Sequence, residues 1–529
     1  MQGVTDIQPI AVVVALFVVL AVVATLSRRL GVPYPLLMLV TGLLIGFIPG
    51  LPHITLTPEL VLLLFLPPIL FQAAYFTSVR DLVANARPIT LLGLGLVVAT
   101  VLAVGVVASW LAPELGWAAA FALGAIVAPP DAVAATAVAR QVHLPRRIVT
   151  ILEGESLFND AAALVAFALA IEAARTGHFE LTNAALQLVW VAVGGVVIGL
   201  VVGKVTSWLL GHLQDAQVET LITLIAPFAA YLPADVIGVS GVLAAVVAGL
   251  IVGRHAPHIL SSESRILGRS VWDIVVFLIN GLVFVLIGLE LPVVVRSAGD
   301  ALWVYLGVAL AVSLTVIVVR FAWVVPAIYL PRILSPKLRA RDPAPPWQAV
   351  FVLGYAGMRG TVSIAAALAV PVVVGPDLEA FPGRELLLLT AFVVVFVTLV
   401  GQGLSLPWII RRLGVREDGH AADEEEDRAR EAGTRAALEH LDGLVTQWPG
   451  HLPLINQLRE RYEHANEHIG ASIDEAADTE LIEHRKIRHG LIEAQRTALI
   501  EMRDRGEISD EVQRRVERDL DLEELRMEA

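Results

Sequence analysis

The sequence predicts an all-α polytopic membrane protein, with thirteen transmembrane helices in two inverted repeats and a cytoplasmic α-helical tail. Three observations predict it. Of the 529 residues, 56% are hydrophobic and only 17% are charged, a balance far from the soluble average. Thirteen apolar segments recur that are long enough to cross a hydrocarbon core of roughly 30 Å. Basic residues fall almost wholly in alternate connections between those segments, as in a chain threaded back and forth through a bilayer.

The segments lie near 9–27, 33–50, 58–77, 88–111, 116–139, 147–174, 184–210, 217–234, 237–253, 271–295, 301–330, 347–373 and 386–410. The first stays a span, because MQGVTDIQ carries no positive residue and the apolar run outlasts a signal-peptide core. One set of connections holds Arg28, Arg29, Arg80, Arg87, Arg140, Arg146, Arg147, Lys204, Arg254, Arg265, Arg269, Arg332, Lys337, Arg339, Arg341, Arg411, Arg412 and Arg416. The other holds Arg175, Arg296 and Arg384. Eighteen against three places the N-terminus outside and the tail in the cytoplasm of a multi-pass plasma (inner) membrane protein. The two remaining basic residues of this part, Arg320 and Arg359, fall inside spans.

Net charge divides the chain. Residues 1–416 hold 23 basic against 21 acidic residues, whereas 417–529 hold 15 against 30. We expect a membrane domain over 1–414, a hydrated acidic linker over 415–432 and a helical tail over 433–529. In the tail, apolar residues recur at three- and four-residue steps, with turns near Pro449-Gly450 and Arg505-Gly506. Two readings stay open there: a hairpin packing on itself or a dimer mate, and a regulatory domain that binds a partner. No phosphate loop, nucleotide fingerprint or metal cluster stands out, so no cofactor and no nucleic acid is expected. The absence of cysteine excludes disulfides and thiol chemistry.

Two spans look broken. Span five, AAAFALGAIVAPPDAVAATAVA, has Pro129 and Pro130 at mid-depth, where a proline pair lacks the N–H groups to continue a helix. Span twelve carries Gly354, Gly357 and Gly360 around Arg359; close packing alone would also explain those glycines. Spans five and twelve are seven apart, and an odd offset gives the two halves of the chain opposite topology. Broken helices at matching positions of inverted halves point to a midplane site. Freed backbone groups find no partner in lipid, so the breaks must line a cavity or bury in protein. Asp131 follows the proline pair directly, and a cation suits the freed carbonyls there.

Span six carries Glu153, Glu155, Asn159 and Asp160 near its middle. A carboxylate at the bilayer centre costs roughly 2.5 to 3.5 kcal/mol on translocon scales, so such groups face a partner, a water cavity or a transported ion. Asp160 alone could be a structural anchor. Ser156 and Asp160 share a helix face, and a hydroxyl and a carboxylate there can point at one small cation. Arg320 could snorkel to the cytoplasmic surface or pair with Glu155; the pair is favoured, because it neutralises both. An enzyme reading is weak. Gly238-Val239-Ser240-Gly241 loosely matches an intramembrane protease nucleophile, yet no histidine occurs between His258 and His420 to serve as base.

The runs FLPPILFQAAYF at 65–76, APPDAVAA at 128–135, ESLFND at 155–160, YLPADVIGVSGVLAAVVAGL at 231–250 and GMRGTVSIAAAL at 357–368 together resemble the NhaP-like sodium/proton exchanger family of monovalent cation/proton antiporters. The resemblance spans roughly residues 10 to 412, in order. It implies a homodimer in which each protomer has a dimerisation scaffold and a mobile core with crossed broken helices. It further implies that Asp160 binds cation or proton beside Asn159, that Asp131 and Ser156 complete a site for Na+ (or Li+ or K+), that Glu155 and Arg320 form a structural ion pair, and that Arg359 belongs to the second break. The Asn-Asp pair at 159–160 marks the branch associated with electroneutral exchange. This sequence departs from the family twice: Pro130 replaces the usual threonine of the first crossing, and Gln72 stands where many relatives have an acid. Both changes remove charge or an oxygen near the site and leave cation preference open, with K+/H+ exchange the alternative.

Overall fold

The computed structural model describes residues 8–30, 32–48, 58–131, 135–136, 142, 144–177, 181–297, 299–374, 379–415, 419–467 and 489–502, with isolated positions between 505 and 524. Helices occupy every segment the hydropathy pattern marks. They are α1 (Gln8–Leu30), α2 (Tyr34–Gly46), α3 (Pro58–Phe76), α4 (Ala86–Leu111), α5 (Gly116–Val127), α6 (Arg146–Thr176), α7 (Leu181–Leu210), α8 (Ala216–Ile237), α9 (Gly241–Ile259), α10 (Ser262–Ser297) and α11 (Leu302–Leu334). Two short pieces, α12 (Trp347–Tyr355) and α13 (Thr361–Leu368), share the twelfth segment, and α14 (Arg384–Leu413) closes the series. Among the described residues eight helices are long and apolar enough to cross a membrane; α5 falls short because it stops at the proline pair. A two-residue antiparallel pairing of Val373–Val374 with Glu379–Ala380 is the only strand structure among the described residues.

Local chemistry sets the ends. Asp215 caps α8 by accepting from the N–H groups of Gln217 and Val218, at 2.9 and 3.0 Å, and Gly238 ends it in the left-handed conformation. Ser240 then caps α9 by accepting from Leu243 N–H at 3.1 Å. Proline alone does not break these helices, since Pro67 and Pro68 lie inside α3.

Packing sorts the helices into two bundles. One, the scaffold bundle, joins α1, α2, α3 and α7 to α10, with α2 on α10, α7 on α9 and α9 on α3 as its main interfaces. The other, the core bundle, joins α4, α5 and α6 to α11, α12, α13 and α14. The core bundle's loop after α11 is tied by Asp342, whose carboxylate pairs with Arg332 at 2.7 Å, Arg147 at 2.9 Å and Arg87 at 3.6 Å. Burial pushes the Asp342 carboxyl up, but the hydrogen bond and charge of Arg147, with Arg332 and Arg87, outweigh it and hold the group below its ordinary value. A depressed carboxyl stabilises the fold above its unfolded value of about 3.9 and stops doing so only as pH falls through the lower folded value, so this tie is intact at neutral pH.

The tail, residues 418–529, is a separate unit. Its helix α15 (Gly419–Gln447) runs through most of the acidic stretch expected as a hydrated linker. The reason is composition: Glu, Ala and Arg are strong helix formers, and Glu431 pairs with Arg435 one turn on at 2.6 Å. A turn at Pro449–His451 leads to α16 (Leu452–Glu467), and Leu441 and Ile455 are buried in this unit. Gly506 lies outside the described residues.

At the α2–α10 interface the backbones touch: a Cβ at Gly42 would overlap the Val285 carbonyl, and one at Gly288 the Leu39 carbonyl. Gly288→Leu must therefore part the two helices. We expect it to lower stability by about 1–3 kcal/mol, the usual cost of overpacking, read as a lower melting temperature in detergent.

Candidate functional site

The site grows from one face of α6. Glu155, Ser156, Asn159 and Asp160 are all buried, within a turn and a half of helix. Against this face comes the end of α5, where the chain leaves the helix at Ala128 and runs through Pro129 and Pro130 to Asp131. The Ser156 hydroxyl donates to the Pro130 carbonyl at 3.2 Å, joining α6 to the first break.

The second break, between α12 and α13, meets the first. Asp131 N–H donates to the Met358 carbonyl at 2.6 Å, and Thr361 N–H donates to the Asp131 carboxylate at 3.3 Å. Arg359, 1% exposed, donates through Nε to the Val127 carbonyl at 3.0 Å, through Nη2 to Ala128 at 3.3 Å, and through Nη1 to Gly357. Its guanidinium thus caps the C-terminal end of α5, where the helix dipole is negative and carbonyls lack helical partners. Gly360 is required by approach: a Cβ there would overlap the Asp131 carboxylate. Each break satisfies the other, which membrane-depth irregular backbone must achieve.

Arg320 and Glu155 settle the choice left by sequence. The guanidinium is 1% exposed and grips the 0% exposed carboxylate in a two-bond fork of 2.5 and 2.9 Å, so it does not snorkel. Its remaining donors reach the carbonyls of Gly354 and Leu353, both at 3.1 Å. The fork ties α6 to α11 and to the end of α12.

A cavity of about 250 Å³ opens beside the crossing. Asp160, Asp131, Ser156, Pro130 and Gln72 all line it, with Glu153, Thr136 and Arg269. Asn159 does not line it. That side chain is fully buried beside the cavity, with neither amide atom hydrogen-bonded. Glu155, Arg320 and Arg359 also stand outside the lining. One carboxylate oxygen of Asp160, Oδ1, is buried and makes no hydrogen bond. A polar lining with an uncommitted carboxylate oxygen suits a hard monovalent cation or a proton. No cluster of three His, Cys, Asp or Glu that could hold a resident metal occurs among the described residues.

Sequence reading missed Thr398, whose hydroxyl accepts Arg359 N–H at 3.0 Å, and Trp323, whose indole donates to the Leu91 carbonyl at 2.9 Å. Both partner irregular backbone: Leu91–Gly95 in α4 and Val397–Gln402 in α14 are π-helical turns. Thr398, a hydroxyl inside the apolar run VVVFVTLV at 393–400, was the available signal.

Fold and site define a polytopic membrane protein with three carboxylates, Asp131, Glu153 and Asp160, lining a cavity where two broken helices cross. A sequence model of the sodium/hydrogen exchanger transmembrane family matches residues 14–412, and the chain belongs to that family. An uncharacterised Na+/H+ exchanger of Mycobacterium tuberculosis is 36% identical over 98% of this chain and 96% of its own. A Bacillus subtilis protein named as a sodium, potassium, lithium and rubidium/H+ antiporter is 32% identical over 94% of this chain and 75% of its own. The solved sodium proton antiporter of Methanocaldococcus jannaschii shares the fold with TM-score 0.59 at 20% identity, over 76% of this chain and 98% of its own.

Removing one member of the buried pair leaves the other charge unpaired in protein, at a cost of about 3–5 kcal/mol. Glu155→Ala should therefore cut the yield and melting temperature of folded protein sharply. The double variant Glu155→Met/Arg320→Met, lacking both charges, should recover much of the loss.

Proposed function

We propose that the protein is a secondary transporter that exchanges Na+ for H+ by alternating access, one for one. The single observation that carries the reading is the uncommitted carboxylate oxygen of Asp160 in a cavity shared with Asp131, Ser156 and Gln72. A proton and a desolvated cation compete for that carboxylate, because either neutralises it and neither leaves room for the other. A bare buried charge is costly to carry through a sealed intermediate, so the core crosses only when loaded. Competition plus that rule is antiport. Asp131, steadied by Thr361 N–H, and Ser156 supply further oxygens to Na+, while Arg359 neutralises the α5 terminus whether or not a cation is present.

The site carries the same net charge with H+ bound as with Na+ bound, so voltage does no work on the loaded crossing. Asn159 beside Asp160 supports this, since an acid there would add a second titrating charge. In the orientation the basic loops favour, Phe76, Thr77 and Arg269 are cytoplasmic, and the cavity they line opens inward. The two packing bundles support a scaffold, carrying the homodimer interface, past which the core moves through a thirteen-crossing domain of the inner membrane. The tail is then cytoplasmic.

K+/H+ exchange is the second reading. Neutral Gln72 weakens the charge that favours the smaller ion, and the B. subtilis relative is named for several alkali metals. A hydrolase is not favoured: Ser240 of the GVSG run is committed as the helix cap of α9.

In proteoliposomes with a pH-sensitive dye, Asp160→Asn should abolish cation-driven proton flux while the protein stays folded; persistent flux contradicts the assignment. Comparing Na+, Li+ and K+ across pH 6 to 9 ranks the ions. Clamping the potential with valinomycin should leave the initial rate unchanged, and a voltage-dependent rate argues against one-for-one exchange.

A further inference from the structure

Three guanidiniums converge on one carboxylate where α4 and α6 begin and α11 ends. Asp342 pairs with Arg332, Arg147 and Arg87 and ties that end of the core bundle, but the tie is overbuilt. Three positive charges against one negative leave an excess of two. The first turns of α4 and α6 add the partial positive charge of two helix N-termini. A loop anchor needs no such excess, and a bound anion would relieve it.

Hydrogen-bond donors are in excess as well. Arg332 is spent, with Nε on the Asp342 carbonyl at 3.1 Å, Nη1 on the Ile328 carbonyl at 2.5 Å and Nη2 on the Asp342 carboxylate at 2.7 Å. Arg147 donates through Nε to Asn85 Oδ1 at 3.2 Å and through Nη2 to Asp342, and its side chain is 48% exposed. Arg87 differs. Its Nε and Nη1 are buried and make no hydrogen bond, and its Nη2 stands 3.6 Å from Asp342. Buried donors on a charged group are costly to leave unpaired. The Arg87 side chain is 31% exposed, so its fork need only turn at the tip to present them beside Arg147. A phosphate group fits this pair of forks: its oxygens accept guanidinium N–H groups two at a time, and its one or two negative charges match the excess.

The flanking helices say where such a group comes from. Leu94, Val98 and Leu102 are exposed along α4, and Leu314, Val318 and Val325 along α11. Arg87 stands seven residues before Leu94 and Arg332 seven after Val325, so both apolar stripes lead to the cluster. In a bilayer these faces meet acyl chains, whose headgroups then lie level with the guanidiniums. In the orientation the basic loops favour, that leaflet is the cytoplasmic one, and its anionic lipids suit basic pockets between membrane helices. We propose that Arg87 and Arg147, braced by Arg332 and Asp342, form a binding site for a phosphate group, carried by an anionic phospholipid or free in solution, with the apolar stripes favouring the lipid. The site involves neither Asp160 nor its cavity and is independent of which ions cross.

Arg87→Gln removes one charge and the fork with its two unpaired donors, while the hydrogen bonds of Arg147 and Arg332 to Asp342 stay. The full chain in detergent, titrated with phosphatidylglycerol or phosphatidylcholine and read by native mass spectrometry, should bind phosphatidylglycerol in preference. Arg87→Gln should weaken that binding about tenfold, the equivalent of one charge-assisted hydrogen bond. Phosphatidylglycerol should raise the melting temperature of the natural protein and not that of the variant, whereas in lipid-free detergent the two should melt together. Inorganic phosphate is the second arm: stabilisation by phosphate and not by phosphatidylglycerol, lost in Arg87→Gln, supports the site and assigns it to a soluble anion. Equal binding of phosphatidylglycerol by both proteins, or a response to neither probe, overturns the proposal. So does a variant that melts lower or fails to fold in lipid-free detergent, because the cluster is then a structural tie alone.

Discussion

Lipid offers backbone polar groups nothing, and this one constraint organises the molecule. Two helices are interrupted at membrane depth, and each interruption would be prohibitive alone. They persist because each supplies what the other lacks. Asp131 N–H reaches a carbonyl of the second break, Thr361 N–H reaches the Asp131 carboxylate, and the Arg359 guanidinium gathers the carbonyls that end α5. The Glu155–Arg320 fork then holds α6 and α11 around the crossing, so Asp160 is presented by a rigid frame.

That frame separates two kinds of buried charge. Glu155, Arg320 and Arg359 are consumed by partners and face no cavity, so they hold the architecture without being available for exchange. Asp160 sits one turn further along the same helix face as Ser156 and keeps an oxygen uncommitted. The proposed alternation between two ligands calls for that difference: neighbours satisfied permanently, and one group satisfied only by what it binds. The division into bundles extends the logic to the whole molecule, because the crossing lies wholly in one bundle while Gln72, on α3, faces it from the other.

Most of this was legible in the sequence, because the membrane makes every polar residue conspicuous. Asp160, Asp131, Ser156 and Gln72 announce themselves in apolar runs, and structure brings all four to one cavity. What sequence could not decide depended on distances between spans. For Arg320 the pair with Glu155 was favoured but a route to the surface stayed open until the fork was seen, and the glycines of span twelve fit packing as well as a break. Asn159 was read as part of the site by adjacency, yet one residue further round the helix turns it off the cavity. The acidic stretch after α14 is helical from Gly419, which its Glu, Ala and Arg content favours and its net charge does not reveal. Thr398 escaped because its partner, the Arg359 N–H, lies in irregular backbone, which leaves no periodic trace.

The central claim is that one carboxylate is shared, in turn, by a proton and an alkali cation. Calorimetric titration of detergent-solubilised protein with NaCl near neutral pH, repeated in buffers of different ionisation enthalpy, counts the protons released as the cation binds. The account predicts proton release on binding by the natural protein, diminishing as pH rises, with no saturable binding in Asp160→Asn. Saturable Na+ binding that releases no proton at any pH would contradict it.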